Sequence, residues 1–306
     1  MGDGILLVDK PAGCTSADVV RAVKRRHRPA SIGHLGTLDP MATGVLPLCL
    51  GAGTRVAQFL GAQSKAYTGT IRLGERTDTA DVTGRVVERR PVPAVEQMDL
   101  EGVARSFLGE GQQIPPMYSA IRRGGRRLYE LARDGVEVER PPRPIRIDRF
   151  RLTRAQRAGE LSFEVACSKG TYVRVLAEDV GAALGTLGTL ADLRRTEFGD
   201  FFVSECEPLD RIVEREPGDL PLLSLREALR GAQEIRVDGP TAFSIAVGRK
   251  DSVGRLAPPA SGTALGAVIS PDDRLLAVLA RNGQIWALKR VVHPEAVELY
   301  RPRARC

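Results

Sequence analysis

One loop carries residue types that could do chemistry. It reads Gly33-His34-Leu35-Gly36-Thr37-Leu38-Asp39-Pro40-Met41-Ala42-Thr43-Gly44-Val45-Leu46-Pro47, with a single carboxylate, Asp39, just before a proline. Pro40 fixes its own φ and pushes Asp39 toward extended conformations. The glycines let a second backbone or a ligand approach closely. An Asp before Pro is most commonly a turn former or helix cap, and the residues alone leave that role open beside a chemical one. Other arrangements are weaker. Asp78 and Asp81 share a turn but have no third metal ligand nearby. Gly51-Ala52-Gly53-Thr54 is too short a glycine signal for a nucleotide site. Five cysteines, spread out and without a CxxC, and only three histidines argue against a disulfide scaffold and against zinc. A reducing cytoplasm is the expected compartment.

Several elements must position this loop. Residues 5–8 predict a short strand ended by Lys10-Pro11, after which Thr15 or Ser16 caps a helix with Val19, Val20 and Val23 on its apolar stripe. Residues 66–73 alternate as a strand with Tyr67, Gly69, Ile71 and Leu73 on one face, and residues 161–167 do likewise. Ser168-Lys169-Gly170 makes a turn, and Thr171 is expected to cap a helix with Val173, Leu176, Ala177, Val180 and Leu184 on one stripe. Tyr172 and Arg174 fall off that stripe. A charged, proline-containing stretch at about 205–221 marks a change of subregion. Residues 236–306 are expected to form a small β domain, with a type I′ hairpin turning at Asn282-Gly283.

The 306 residues carry 45 Lys+Arg against 38 Asp+Glu, a net charge of +7. The 37 residues from 121 to 157 hold 12 Arg and 5 acids, so the surplus sits there and the remainder is neutral. That stretch also contains Gly124-Gly125, a short helical run at 128–133 and Pro141-Pro142, and it reads as a protruding, mobile insertion. A smaller basic cluster comprises Arg21, Lys24, Arg25, Arg26 and Arg28. Concentrated arginine suits a phosphate-rich partner, because its planar fork matches phosphate oxygens; a solvated charged face is the alternative. A hydrophobic content of 42% with 27% charged residues excludes a largely disordered chain. The uncharged stretch at residues 40–54 is too short to span a membrane. No signal peptide is expected, since Asp3 and Asp9 bracket the only N-terminal apolar run.

The string GHLGTLDPMATGVLPLCLGAGTR resembles the catalytic motif of the tRNA pseudouridine-55 synthases, the TruB family. Residues 7–16, LVDKPAGCTS, resemble that family's first motif. Lys65-Ala66-Tyr67, residues 74–81 (GERTDTAD), residues 114–120 (IPPMYSA), residues 167–174 (CSKGTYVR) and Leu193-Arg194-Arg195 follow in family order. The blocks span about residues 4–200.

The resemblance implies an α+β catalytic domain, residues 1–235, around a mixed, mostly antiparallel sheet flanked by helices. It also implies an RNA-binding insertion at about 110–150 and a small β-barrel-like (PUA-like) RNA-binding domain at 236–306. The implied reaction isomerises the uridine at position 55 of the tRNA T loop to pseudouridine, with no cofactor and no metal. Asp39 is the implied essential carboxylate, attacking C1′ or the base or acting through a glycal, with Arg174 as its ion-pair partner. The target base must flip out of the stacked loop. Tyr67 is then implied to stack on the uracil and take a proton, with Tyr172 on the same nucleotide. His34 is implied to fill the space of the displaced base, and Leu193 to close the apolar side. Lys10 and Asp81 are weaker, Lys10 as a substrate-side residue or a brace under the loop. Arg122, Arg123, Arg126 and Arg127 are expected on the RNA backbone. The expected partner is the tRNA T arm, with no membrane, no obligatory protein partner and a monomeric state. A guide-RNA-directed synthase subunit and a non-catalytic tRNA-folding factor are the alternatives.

Overall fold

A computed structural model describes residues 2–301 except 62, 63, 95, 97 and 120, and the side chains of Arg122, Arg123 and Arg133 lie outside the described set. One large mixed sheet organises the first two thirds of the chain. Its strands run edge to edge as Glu207–Pro208, Gly4–Lys10, Thr43–Leu50, Gly188–Phe198, Lys65–Leu73, Glu160–Cys167, Arg143–Arg154 and Gly109–Gln113. Most neighbours are antiparallel; Gly188–Phe198 meets Thr43–Leu50 in parallel through Arg194–Thr43 and Arg195–Gly44. The expected alternation on residues 66–73 is present within Lys65–Leu73, where Tyr67, Ile71 and Leu73 are buried.

Two helices control the site. The Ser16–His27 helix is capped by Thr15, whose side chain accepts from Asp18 N while Asp18 reaches back to Thr15 N, a capping box. Val19 and Val23 are buried, and basic residues crowd the last turn, where they meet the carbonyl end of the helix dipole. The Val173–Ala183 helix buries Val173, Leu176, Ala177 and Val180 against the sheet. Its cap differs from expectation: Tyr172, not Thr171, occupies that position. The Thr171 hydroxyl donates instead to Ser168 O at 3.0 Å, closing the preceding turn.

A second, open sheet has the order Gln233–Arg236, Leu265–Ile269, Leu275–Asn282, Ile285–Val291. Among the described residues it does not close into a barrel, and its first strand begins three residues before the expected boundary. Asn282 pairs with Ile285, so the hairpin turns at Gly283-Gln284 rather than Asn282-Gly283. Of these residues only Gly283 has positive φ, +64°, which is the type II′ pattern and not I′. Apolar residues of the first sheet and the Gly53–Leu60 helix share one cluster with those of the second sheet: Ile5, Val45, Val56, Leu60 and Phe201 meet Ala267, Ile269, Val278 and the adjoining Val292. Arg55 adds a hydrogen bond to Val292 O across the same junction.

The arginine-rich segment forms a small hairpin, Arg122–Arg123 with Arg126–Arg127, followed by a helix, Leu128–Arg133. Leu128 is buried, so the segment is anchored at that point.

Candidate active site

Asp39 projects from a loop that is held on both sides. Leu38 N donates to Ser16 Oγ at 2.9 Å, and Ser16 Oγ donates in turn to Leu38 O at 3.2 Å. On the other side Gly13 N donates to Pro40 O at 2.9 Å, and Ala42 N turns back to Asp39 O at 3.1 Å. Because Thr15 takes the cap, Ser16 is free to hold the loop.

Lys10 completes the clamp. It is fully buried, and its ammonium donates to Pro11 O (2.8 Å), Pro40 O (3.2 Å) and Ala42 O (2.7 Å). All three protons are engaged with backbone, so its place is that of a brace beneath the loop rather than a substrate contact. Burial pushes the Lys10 ammonium pKa down, while the nearby Asp39 carboxyl opposes that shift. Replacing Lys10 with Met leaves three carbonyls without their donor and is expected to cost about 2–4 kcal/mol of stability, read by denaturant titration. An unchanged midpoint would remove the brace.

Two glycines let the loop reach its neighbours. Gly44 has φ +99°, and a Cβ there would sit 2.1 Å from Arg195 O. Gly36 has φ +59°, and a Cβ there would lie 2.6 Å from the Phe198 ring. Both are places where only a bare backbone fits.

Arg174, in the first turn of its helix, meets Asp39 in a fork: Nε to Oδ2 at 2.8 Å and Nη2 to Oδ1 at 3.4 Å. Arg174 is 5% exposed, and its guanidinium also donates to Thr79 O (2.9 Å) and Tyr118 O (2.7 Å), with Asp81 Oδ2 3.8 Å away. The position off the apolar stripe therefore buries Arg174 in the site rather than exposing it. Asp81 is itself buried and accepts from Thr79 Oγ1 and Thr83 N. It steadies the turn and adds a second negative charge near Arg174. The Asp39 side chain is 34% exposed on its open side, while protein encloses its carboxyl on the others. Burial pushes the Asp39 pKa up, Arg174 is the main force holding it down, and Asp81 adds to the rise.

Tyr67 lies in the sheet beside this pair, opposite Arg195 on one neighbouring strand and Val165 on the other. It is 8% exposed, and burial raises its pKa against the opposing pull of Arg195. Leu193, also buried, is two residues before Arg195 and sits in the same apolar cluster as Tyr67, Leu38 and Val173. Tyr172 is fixed by Gln113: its N donates to Gln113 Oε1 (2.7 Å) and its O accepts from Gln113 Nε2 (3.1 Å). His34, on the Ile32–His34 strand, has a depressed pKa from burial and from the nearby Arg195 and Arg127, so its imidazole is neutral. Its Nδ1 is buried with no hydrogen-bond partner among the described residues.

The structure thus brings Asp39, Arg174, Tyr67, Leu193 and His34 to one end of the sheet, with Tyr172 adjoining. Arg127 comes near enough to influence His34, while Arg126 is exposed and pairs with Asp134 at 2.6 Å. Nothing in the residue pattern singles out Ser16, Gln113 or Arg195 for these places. Arg195 stands in the Leu193-Arg194-Arg195 block, Gln113 immediately precedes Ile114-Pro115-Pro116, and Ser16 reads only as a cap.

Comparison with known proteins agrees in one direction. A family model described as TruB family pseudouridylate synthase (N terminal domain) matches residues 24–173. A protein named tRNA pseudouridine synthase B from Psychrobacter cryohalolentis is 50% identical over 207 residues, covering 66% of this chain and 57% of its own length. One of the same name from Bordetella avium is 44% identical over 231 residues, covering 75% of this chain and 94% of its own. Another from Saccharophagus degradans is 41% identical over 255 residues, covering 80% of this chain and 81% of its own. The chain thus spans little more than half the length of the two Psychrobacter relatives, 57% and 54%. Among solved structures, a chain of a Cbf5-Nop10-Gar1 complex superposes with a TM-score of 0.73 at 24% identity, covering 98% of this chain and 87% of that one. That likeness concerns the fold.

Proposed function

The chain belongs to the TruB family of pseudouridylate synthases, and on that premise we propose that it converts uridine 55 in the T loop of tRNA to pseudouridine. The observation that carries this reading is the Asp39–Arg174 fork at the open end of the sheet, beside Tyr67. An ionised carboxylate must be kept close to a base in a desolvated pocket, and burial alone would protonate it. A guanidinium in bidentate contact is what keeps it charged.

In this scheme the flipped uridine enters between Tyr67 and Leu193, with its sugar over Asp39. The C1′–N1 bond breaks, the uracil turns, and C5 joins C1′. Tyr67 stacks on the ring and exchanges its proton, Tyr172 contacts the same nucleotide, and neutral His34 occupies the gap left in the RNA loop. Lys10, Ser16 and Gln113 hold backbone in place and do not touch RNA. The insertion grips the T stem through Arg122, Arg123, Arg126 and Arg127, and residues from about 236 onward contact RNA farther out. No helix among the described residues is long and apolar enough to cross a membrane, and we place the enzyme in the cytoplasm, acting without an obligatory protein partner.

The test is a single-turnover assay on a T-arm stem-loop, with the product position mapped. Pseudouridine at the position corresponding to 55, formed by the protein alone, supports a stand-alone synthase. A requirement for a guide RNA or accessory protein, or binding without product, would overturn it. Changing the four insertion arginines to Gln should weaken T-arm binding and reduce the slope of log affinity against log salt by about 0.7–0.9 for each phosphate no longer neutralised. A slope that stays the same would take these arginines off the RNA.

A further inference from the structure

Arg195 is fully buried, yet no carboxylate pairs with it among the described residues. Its Nε donates to Val45 O at 2.7 Å and Nη2 to Gly36 O at 2.9 Å, and the Phe198 ring centre lies 5.0 Å from the guanidinium. Nη1 is buried and, among the described residues, has no partner in hydrogen-bonding geometry. Burying a cation in this way is costly, and such groups concentrate where chemistry needs them.

Tyr67 is the group that Arg195 meets. The two are register partners across the ladder, and the Tyr67 hydroxyl is in electrostatic contact with the guanidinium. Cys167 from the neighbouring strand and Asp39 from the loop also act on Tyr67. Cys206, Lys10, His34 and Lys65 lie within electrostatic reach of Arg195. None of these is a carboxylate, and the Asp39 carboxylate is committed to Arg174. Arginine carries donors only, so an oxygen drawn to Nη1 must accept. The phenolic proton is then turned away from Arg195 and into the pocket. Such contacts are often long in a free enzyme and tighten on the substrate.

We propose that Arg195 is a positioning residue that pairs with the Tyr67 oxygen, aims its proton at the bound uracil and holds the phenolate that forms during proton transfer. The inference rests on the isomerisation described above. Once C5 has joined C1′, the ring holds a C6=N1 double bond and C5 still carries its hydrogen. Tyr67 gives its proton to N1. The C5–H bond then breaks, its electron pair forms C5=C6, the C6=N1 pair returns to N1, and the proton goes to the phenolate. The tyrosine ends as it began, and the uracil keeps its composition.

The experiment compares a T-arm stem-loop with one bearing deuterium at C5 of the target uridine, in single turnover. Arg195→Gln is expected to be about 100-fold slower, with T-arm affinity within a few-fold of the parent and a larger normal isotope effect, because loss of the C5 proton becomes slow. Arg195→Lys keeps the charge but cannot reach Val45 O, Gly36 O and Tyr67 together. It should fall between the two in rate, with the isotope effect still raised. A rate within twofold of the parent, or a slow rate with an unchanged isotope effect, overturns the proposal, the second because it marks a packing role. If the Gln variant does not fold, the Lys variant decides by the same isotope readout. A parent protein that makes no pseudouridine would sink the isomerase reading instead, before any variant is compared.

Discussion

Asp39→Asn is expected to abolish pseudouridine formation, lowering the single-turnover rate by more than about 10⁴-fold, the scale seen when a nucleophilic centre is removed. T-arm affinity should stay within a few-fold. The amide fills the same space, and the loop does not depend on the carboxylate for its shape. Leu38 is held by Ser16, and Pro40 by Gly13 and Lys10. The Asn variant also removes the anion that Arg174 balances, but Asp81 remains 3.8 Å from that guanidinium, so no buried cation is stranded. Rate and affinity measured on the same T-arm RNA separate the two effects. Substantial residual turnover would take Asp39 out of its role, and a parallel loss of affinity would make it a binding residue.

The second large effect is expected at Arg174. Arg174→Met removes the cation that opposes burial at Asp39, together with the donors to Thr79 O and Tyr118 O. Asp39 already titrates above the usual carboxylate range in the folded protein, because burial outweighs Arg174. The proposed reaction requires the ionised form, so the parent's rate should rise with pH along an acid limb displaced upward. In the Met variant that limb moves further up, and the rate at neutral pH falls by about 100-fold or more.

The stability consequence has a definite sign. Between the unfolded and folded pKa values of Asp39, the folded chain holds more protons than the unfolded one. Raising pH through that window therefore costs stability. In the Met variant the window widens toward higher pH, so the deficit against the parent should grow from acid to neutral pH. Breaking a buried pair costs about 3–5 kcal/mol, and the lower end applies here because Asp39 is a third open to water. Denaturant midpoints at several pH values check it. A deficit independent of pH would mean that weakened packing, not charge, dominates.

Much of the site is legible as local sequence because its logic is local. Asp39-Pro40 between glycines predicts a constrained carboxylate, and both Gly36 and Gly44 do adopt positive φ. Residues 66–73 and 161–167 show a period of two, and the run after Gly170 shows a helical period, so those elements follow from which faces must be buried. Expectation and structure part where a single residue chooses between equivalent partners. Thr171 bonds to the turn behind it rather than capping the helix ahead. Gly283, needing only one left-handed position, moves the hairpin turn one residue along.

The amino-acid sequence by itself determined the family, the strand and helix periods, the placement of excess arginine and the one carboxylate held before a proline in the glycine-rich loop. Each of these depends on residue type and near-neighbour spacing. The tertiary structure decided which donors serve which acceptors over long separations. Lys10 is spent on carbonyls some thirty residues away, Gln113 on the peptide of Tyr172, and Arg174 on Asp39, 135 residues distant. It also left Arg195 as a buried cation with no carboxylate partner among the described residues. A sequence lists cations and anions without saying which will lose their water together. Only folding makes that choice, because the cost of an unpaired buried charge exists only where the chain has closed around it.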